Sequence, residues 1–316
     1  MSSPALRLVE EQLREHVGDR LLRDEPLGAR TTYRVGGRAA LLLEATDEAD
    51  LTAARDALGA AGGAVPVVVV GNGSNLLVAD AGFAGLAIVL GESFADVAIA
   101  GTTVTAGGAA VLPVVARRTA AAALTGFEWA VGVPGSIGGA VRMNAGGHGS
   151  DMAASLTRVR VVALDGGHDG WMPAAALDLG YRRSAIGAGQ VVVAAELHLT
   201  GGDRASAEAE IAEIVRWRRA NQPGGQNAGS VFANPEGDSA GRLIDAAGAK
   251  GLRVGTAEIS PKHANFIIAD AGGRADDVRA LMLEVQRRVE EHAGVHLEPE
   301  TRLCGFEPDP QPEVEG

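Results

Sequence analysis

The sequence predicts a two-domain protein of the α+β class. Short β-branched runs alternate with segments of helical spacing, and no internal repeat is present. Hydrophobic residues make up 46% of the 316 positions and charged residues 22%, the balance of a globular protein with a large core. Glycine is the outlier at 44 residues, about twice the ordinary share of ~7%. The glycines cluster in turns beside strands, which suits a backbone that approaches a ligand closely in several places.

The first half alternates helices with short strands. We expect an amphipathic helix within residues 1–20, a strand, turn and strand in TTYRVGGRAALLLEA, and a helix in DEADLTAARDALGAAGG. The β-branched run VPVVVV is typical of a buried parallel strand. Residues 113–124 form a predicted helix, with Pro113 at its start and Gly126 after its end.

A domain boundary is predicted near Gly201-Gly202, which divides the chain into 21–202 and 203–306. A long helix starts just after it at RASAEAEIAEIV. Further strands are expected in NAGSVFANP, VGTAEIS, ANFIIAD and VHLEPETRLCGF, and helices in SAGRLIDAAG and ADDVRALMLEVQRRVEEHAG. The second of these helices places Val278, Leu281, Met282, Val285 and Val289 on one apolar face. Residues 307–316 read as a disordered acidic tail.

Charge and composition exclude several classes of function. A net charge of −12 argues against nucleic-acid binding, which needs clustered Lys and Arg. No apolar run reaches the ~20 residues of a membrane helix. The lone Cys304 permits no internal disulfide and fits a reducing cytoplasm, and the scattered histidines predict no metal site. We expect a cytoplasmic monomer.

Two glycine-rich segments are candidates for binding a phosphate group. GNGSN at 71–75 follows the predicted parallel strand, and its backbone N–H groups could face an anion. VPGSIGGAVRMNAG at 133–146 is predicted to be too glycine-rich for any regular element, yet Val133, Ile137, Ala140 and Val141 favour burial. Each segment alone fits an ordinary turn or surface loop. Together they favour one long, phosphate-containing ligand lying between them.

Three polar motifs complete the candidate site. Ser230 in NAGSVFANP lies among small residues but has no Gly-x-Ser-x-Gly frame and no nominated His or Asp partner, so a serine hydrolase is not indicated. GYRRS at 180–184 is either a solvated basic turn or a guanidinium clamp for a carboxylate or phosphate. HLEPETRL is predicted to place His296, Glu298, Glu300 and Arg302 on one strand face, which is either a polar outer face or part of a site.

These motifs, in this order and at this spacing, resemble the UDP-N-acetylenolpyruvoylglucosamine reductase family over roughly residues 20–306. The resemblance implies an FAD-binding domain of the vanillyl-alcohol oxidase (PCMH) type in two α+β lobes, followed by a smaller α+β substrate-binding domain. It also implies noncovalent FAD, NADPH as hydride donor, and reduction of UDP-N-acetylglucosamine enolpyruvate to UDP-N-acetylmuramate for peptidoglycan synthesis. A small-molecule UDP-sugar is then the only partner expected.

The resemblance also assigns roles to individual residues. Ser230 aligns with the proton donor, while Arg182 and a protonated Glu300 align with the groups that bind the substrate carboxylate and support the developing enolate. The implied FAD contacts are Gly71, Asn72, Gly73, Ser74, Asn75, Gly132, Pro134, Gly135, Ser136, Gly138, Gly139 and Asn144. The implied substrate contacts are Tyr181, Asn234, Lys250, Lys262 and His263.

Some positions depart from the family pattern. Ala233 stands where many members carry a basic residue, and His148 replaces a more usual tyrosine. The link from Arg183 to Gln190 is short and contains no tyrosine, so the chain resembles the subgroup that lacks a tyrosine-bearing loop over the substrate. Two rival functions stay open: another FAD-linked oxidoreductase of the same fold, and a non-enzymatic UDP-sugar-binding protein.

Overall fold

A computed structural model of the chain describes residues 3–307 and confirms the α+β class. Two lobes, each with its own sheet, are followed by a smaller C-terminal unit. The predicted tail at 307–316 lies outside the described residues apart from Glu307. No helix within residues 3–307 is long and apolar enough to cross a lipid bilayer.

The first lobe is a four-stranded sheet covered by two helices. Its elements are α1 (Pro4–Val17), β1 (Leu21–Glu25), β2 (Ala39–Ala45), α2 (Glu48–Ala60), β3 (Val67–Val70), β4 (Leu76–Val78) and β5 (Phe83–Leu90). The spatial order is β1-β2-β5-β3, and β3 runs parallel to β5 as VPVVVV predicts. The predicted burial is wrong, because β3 lies at the sheet edge and Val67, Val68 and Val69 are only partly buried. Helix α1 begins where the Ser3 hydroxyl accepts a hydrogen bond from the Leu6 N–H, with Pro4 in the first turn.

The second lobe is a five-stranded antiparallel sheet with helices on one side. Its elements are β6 (Val97–Ala100), β7 (Thr103–Gly107), α3 (Leu112–Ala121), β8 (Leu124–Thr125), α4 (Ile137–Met143), β9 (Gly146–Gly147), β10 (Ser150–Asp151), β11 (Leu156–Ala163), β12 (Gly170–Pro173), β13 (Gln190–His198) and β14 (Thr200–Gly201). The sheet order is β12-β11-β13-β7-β6. The predicted helix at 113–124 is α3, with Pro113 in its first turn.

The C-terminal unit packs two helices on a small antiparallel sheet. Its elements are α5 (Arg204–Asn221), α6 (Ala240–Ala246), β15 (Arg253–Val254), β16 (Ala257–Ile259), β17 (Ile267–Ala269), α7 (Ala275–Ala293) and β18 (Arg302–Cys304). Helix α7 buries the predicted apolar face completely. Helix α5, however, packs through Ala207, Ile211 and Ile214 onto the core of the second lobe. The boundary at Gly201-Gly202 therefore stays a prediction.

The end of the chain returns to the first lobe, and this return builds the site. Strand β18 pairs in parallel with β4, which follows the GNGSN segment directly. The Arg302 N–H donates to the Asn75 carbonyl at 3.0 Å, and the Ala79 N–H donates to the Cys304 carbonyl at 2.8 Å. Residues 300–304 are thereby fixed beside the first glycine-rich segment.

The prediction that residues 133–146 contain no regular element is wrong, because they include helix α4. One glycine, Gly138, lets this helix approach the sheet. A Cβ on Gly138 would lie 3.0 Å from the Val192 carbonyl oxygen of β13 and 3.2 Å from that of Gly108. A glycine that lowers local helix propensity is thus the residue that close packing requires.

Three predicted strands are also absent or shorter. No strand forms in TTYRV at residues 31–35, where the chain turns and Arg34 has a φ of +53°. In NAGSVFANP only Phe232 forms a bridge, to Pro299, and in VHLEPETRLCGF only β18 is regular. The polar residues predicted to share one strand face therefore lie in different surroundings. His296 pairs with Glu290 on the surface, while Glu300 lines the cavity. Pro299 and the adjacent irregular pairing account for the difference.

Candidate active site

A cavity of about 590 Å³ is lined by residues of all three units. GNGSN, the segment around helix α4, and parts of the C-terminal unit each contribute to its wall. Ten of the predicted FAD contacts line it, namely Gly71, Asn72, Gly73, Ser74, Asn75, Gly132, Pro134, Gly135, Ser136 and Gly139. Ser230, Arg182 and Glu300 line it as well. The structure therefore brings the predicted catalytic residues and most of the predicted cofactor contacts together.

The GNGSN segment is shaped by close backbone contacts. Gly73 has a φ of +59°, and a Cβ there would lie 2.5 Å from the Arg30 carbonyl oxygen. A Cβ on Gly71 would meet the Ser136 hydroxyl of the second segment. Within residues 3–307, the N–H groups of Asn72, Gly73 and Ser74 donate no hydrogen bond to another protein group. Backbone donors beside a cavity form a suitable site for an anion.

Two side chains of GNGSN hold neighbouring segments in place. The Asn72 amide donates to the Pro134 carbonyl at 3.4 Å and so links the two glycine-rich segments. The Asn75 amide donates to the Glu300 carbonyl at 3.0 Å. Asn75 thus fixes the backbone of a predicted catalytic residue in addition to lining the cavity.

Ser230 is positioned by a residue that the sequence reasoning missed, the buried Asn265. The Asn265 side chain accepts from the Phe232 N–H at 3.0 Å and donates to the Phe232 carbonyl at 2.8 Å. Its backbone carbonyl accepts from the Val231 N–H at 2.9 Å. Because an amide side chain can satisfy both polar groups of one peptide residue, Asn265 replaces the strand pairing that this segment lacks. An Asn in an otherwise apolar run, ANFII, was the available signal.

Arg182 is held in an unusual backbone conformation. Its φ of +56° is rare outside glycine, and Gly180 and Arg183 exchange reciprocal backbone hydrogen bonds around it. Such conformations persist where surrounding structure enforces them, often at functional sites. The Arg182 guanidinium donates to the Gly146 carbonyl at 3.2 Å. The backbone hydrogen bonds of this turn therefore hold the Arg182 guanidinium at the cavity wall.

Arg182 and Glu300 form an ion pair inside the cavity. Arg182 Nε lies 2.7 Å from Glu300 Oε1, but its N–H is poorly aligned for a hydrogen bond to that oxygen. The Glu300 side chain is only 15% exposed. Burial raises the pKa of Glu300 above its usual value, and the charge of Arg182 opposes this effect without cancelling it. A carboxyl group that favours its neutral form can donate a proton in a hydrogen bond.

Three further arginines line the cavity: Arg142, Arg218 and Arg302. Arg218 donates to Gln222 at 2.8 Å, and burial lowers its pKa. Together with Arg182 they oppose one carboxylate, Glu300, so the cavity is electropositive within an acidic protein. Clustered guanidinium groups suit a ligand that carries phosphates. The sequence reasoning did not assign Arg142 or Arg218 to the site.

Two predicted FAD contacts lie elsewhere. Gly138 borders a smaller adjoining cavity, and its N–H donates to the Gly108 carbonyl at 2.9 Å. Asn144 is buried, and its amide donates to Asp151 at 3.1 Å and to the Gly180 carbonyl at 3.0 Å. Since Gly180 begins the turn that carries Arg182, Asn144 supports the turn of this predicted catalytic arginine instead of lining the cavity.

The five predicted substrate contacts lie outside the described cavity wall. The Asn234 side chain accepts from the Ala240 N–H, Lys250 pairs with Asp245 at 3.2 Å, and Lys262 donates to the Arg219 carbonyl at 2.6 Å. The His263 ring packs on Phe266, which does line the cavity. Tyr181 is 58% exposed beneath the Arg182 guanidinium. Their roles stay predictions.

Comparisons with known proteins decide the family. Residues 221–304 match the family model described as UDP-N-acetylenolpyruvoylglucosamine reductase, C-terminal domain, and residues 39–168 match an FAD binding domain. UDP-N-acetylenolpyruvoylglucosamine reductase 2 of Symbiobacterium thermophilum is 41% identical over 94% of this chain and 97% of its own length. The chain belongs to the UDP-N-acetylenolpyruvoylglucosamine reductase family.

Other members of the family agree in sequence and structure. The Rubrobacter xylanophilus reductase is 43% identical over 89% of this chain and 94% of its own length. A crystal structure of the Thermus caldophilus reductase superposes with a TM-score of 0.77 at 37% identity, covering 90% of this chain and 98% of that one. The predicted fold, with an FAD-binding part followed by a reductase-type C-terminal part, is confirmed.

The residues present fit FAD. Backbone N–H groups without a protein partner in the described residues, glycines whose positions leave no room for a side chain, and several guanidinium groups surround one cavity. These features match a long cofactor with a central diphosphate. Within the described part of the chain, no group of three or more His, Cys, Asp or Glu side chains could hold a metal ion.

Proposed function

We propose that this protein reduces the enolpyruvyl group of UDP-N-acetylglucosamine enolpyruvate, giving UDP-N-acetylmuramate for peptidoglycan precursor synthesis. One observation carries the proposal: Ser230, Arg182 and Glu300, far apart in sequence, line the same cavity as the glycine-rich segments. The related reductases of Symbiobacterium thermophilum and Rubrobacter xylanophilus support the same activity. We place the reaction in the cytoplasm and the protein in monomeric form.

Bound FAD supplies hydride chemistry, with NADPH as the electron source. The residues of the chain bind the substrate, stabilise the developing charge and supply the proton. Arg182 is held against Glu300 at the cavity wall, so its guanidinium is suited to bind the carboxylate next to the reacting double bond. Fixed positive charge stabilises the negative charge that develops beside that carboxylate.

Ser230 and Glu300 divide the proton chemistry. A hydroxyl is a weak acid, yet it can protonate a carbon that has gained carbanion character when it is rigidly placed. The Asn265 contacts provide that rigidity. Glu300, whose raised pKa favours the neutral form, would donate a hydrogen bond to the developing enolate oxygen instead of repelling it.

Substrate binding is proposed to proceed without a closing tyrosine. Tyr33 is fully buried in the C-terminal core, so it cannot reach a ligand without unfolding its surroundings. Tyr181 is exposed and is the other tyrosine of the chain. Tyr181, Asn234, Lys250, Lys262 and His263 are proposed as outer contacts of the UDP-sugar.

The two rivals make different predictions. Another oxidoreductase of this fold would share the first two lobes but would not need Ser230 and Glu300 in one cavity. A non-enzymatic binding protein would not need the glycine-rich cradle. Both features are present, which favours the reductase.

The decisive experiment incubates the FAD-loaded protein with NADPH and UDP-N-acetylglucosamine enolpyruvate. We expect one NADPH consumed per substrate and a product two mass units heavier, as addition of two hydrogens requires. In deuterium oxide, one deuterium should appear at the carbon next to the carboxylate. Retained flavin with no product from this substrate would contradict the proposal, and colourless protein that binds the UDP-sugar would favour the non-enzymatic rival.

A further inference from the structure

Arg142 is a half-buried guanidinium that the proposed chemistry does not use. It lies in helix α4, one turn after Gly138. Within residues 3–307 its side chain has no hydrogen-bond or ion-pair partner. Burial and the charge of Arg302 both lower its pKa. A cation removed from water and placed beside another cation is costly unless an anion joins it.

Arg142 borders two cavities at once. The first is the catalytic cavity of about 590 Å³, and the second is a smaller one of about 160 Å³. Gly71, Asn72, Ser136 and Gly139 also border both. A ligand that extends from one cavity into the other contacts these residues. They offer backbone N–H groups, the Ser136 hydroxyl and the Arg142 guanidinium.

The two cavities differ in chemistry. The larger one contains Ser230, Arg182 and Glu300 and suits the reacting end of a cofactor. The smaller one has apolar walls from Val89, Leu90, Ile186 and Val192, with Gln190 at its edge. The Gln190 side-chain oxygen Oε1 accepts from the Gly187 N–H at 2.9 Å, so the side-chain NH₂ group remains as a donor. Apolar walls with one amide suit a planar base.

The backbone of Arg142 is held firmly. Its carbonyl accepts a hydrogen bond from the Ser184 hydroxyl at 2.7 Å, which ties helix α4 to the turn that carries Arg182. The start of the helix is also fixed to the loop between β7 and α3, since the Ile137 N–H donates to the Ala110 carbonyl at 2.9 Å. The guanidinium therefore projects from a fixed base.

We propose that Arg142 binds the diphosphate of FAD where the cofactor passes from the larger cavity into the smaller one, and so makes this protein select FAD over flavins without a diphosphate. The proposal rests on the flavin binding that the proposed function requires. Guanidinium groups bind phosphate oxygens through two N–H donors, and such contacts are stronger when partly buried.

The test measures binding to the apoprotein by titration calorimetry and flavin fluorescence, with FAD, ADP and riboflavin as probes. Arg142→Gln should weaken FAD and ADP by ~10–100-fold, the range of one lost charge-assisted contact. Riboflavin, which has no phosphate, should bind with unchanged affinity. Arg142→Lys should recover part of the loss, because it retains the charge but not the fork of donors.

Arg117→Gln is the matched control. Arg117 lies on the exposed face of helix α3, and within residues 3–307 its side chain donates only to the Pro113 carbonyl, so this variant removes the same charge away from both cavities. Unchanged FAD affinity in Arg142→Gln overturns the proposal. Equal weakening of FAD and riboflavin also overturns it, because that pattern indicates a packing role. Protein that binds FAD as described but does not reduce the enolpyruvyl sugar would contradict the proposed function and leave this inference intact.

Discussion

At the scale of single residues, the proposed role of Ser230 as proton donor depends on where its hydroxyl is held. Ser230→Ala should lower turnover by at least ~10²–10⁴, the usual contribution of a placed acid. Flavin binding and bleaching by NADPH should change little, because the hydroxyl is assigned to the substrate carbon. Ser230→Cys should recover part of the rate. Steady-state turnover and anaerobic stopped-flow absorbance check these expectations together.

Two results would assign Ser230 a different role. Normal turnover in Ser230→Ala would show that another group supplies the proton. A covalent substrate adduct on Ser230, visible by mass spectrometry, would instead indicate a nucleophile.

Glu300 predicts a pH dependence of stability. Its folded pKa is raised above the usual 4.5 by burial, so its contribution to stability is greatest below that value and is lost as pH rises through the folded pKa. The unfolding free energy of the wild type, relative to Glu300→Gln, should therefore fall as pH increases from about 4.5. Urea unfolding across a pH series measures this difference. Arg182→Gln removes the opposing charge, so the fall in unfolding free energy should extend to higher pH. A difference between wild type and Glu300→Gln that grows with pH would contradict the argument.

At the scale of elements, the GNGSN segment depends on backbone conformation. Gly73→Ala places a Cβ 2.5 Å from a backbone oxygen at a φ of +59°, and it should destabilise the protein by more than ~1 kcal/mol. FAD affinity should fall as well. Gly59→Ala, in the exposed part of α2 with no atom within 4 Å of its added Cβ, should stabilise by ~0.5–1 kcal/mol. Chemical unfolding of both variants would show shifts of opposite sign, and shifts of the same sign would contradict this assignment.

At the scale of the whole molecule, the return of β18 to β4 closes the site. Cys304 in β18 reports on this closure, since it is 6% exposed and burial raises the pKa of its thiol to about 11. At pH 8 such a thiol carries about a hundredth of the thiolate of an ordinary cysteine. Labelling by a disulfide reagent should thus be slow in the folded protein and require opening of β18. Because Cys304 also lines the cavity, added FAD should slow labelling further. Rapid labelling that FAD does not affect would show that β18 is not held as described.

The family resemblance nominated Ser230, Arg182 and Glu300, whose roles stay predictions. The sequence by itself determined the fold class, the parallel direction of strand β3 and the helices with clear apolar faces. Local signals suffice for these, because periodicity and turn residues are written along the chain. It missed helix α4, since Gly138, which weakens a helix locally, is needed where α4 meets β13. It missed Asn265, whose partners lie in a segment thirty residues away.

Only the tertiary structure decided which groups share a cavity. The pairing of β18 with β4 brings Glu300 to the GNGSN segment, and the turn at Gly180 brings Arg182 to Glu300. The pKa of Glu300 and the unpaired state of Arg142 both follow from burial among groups that are distant in sequence. Burial and electrostatics depend on three-dimensional surroundings, and no local pattern of residues encodes them.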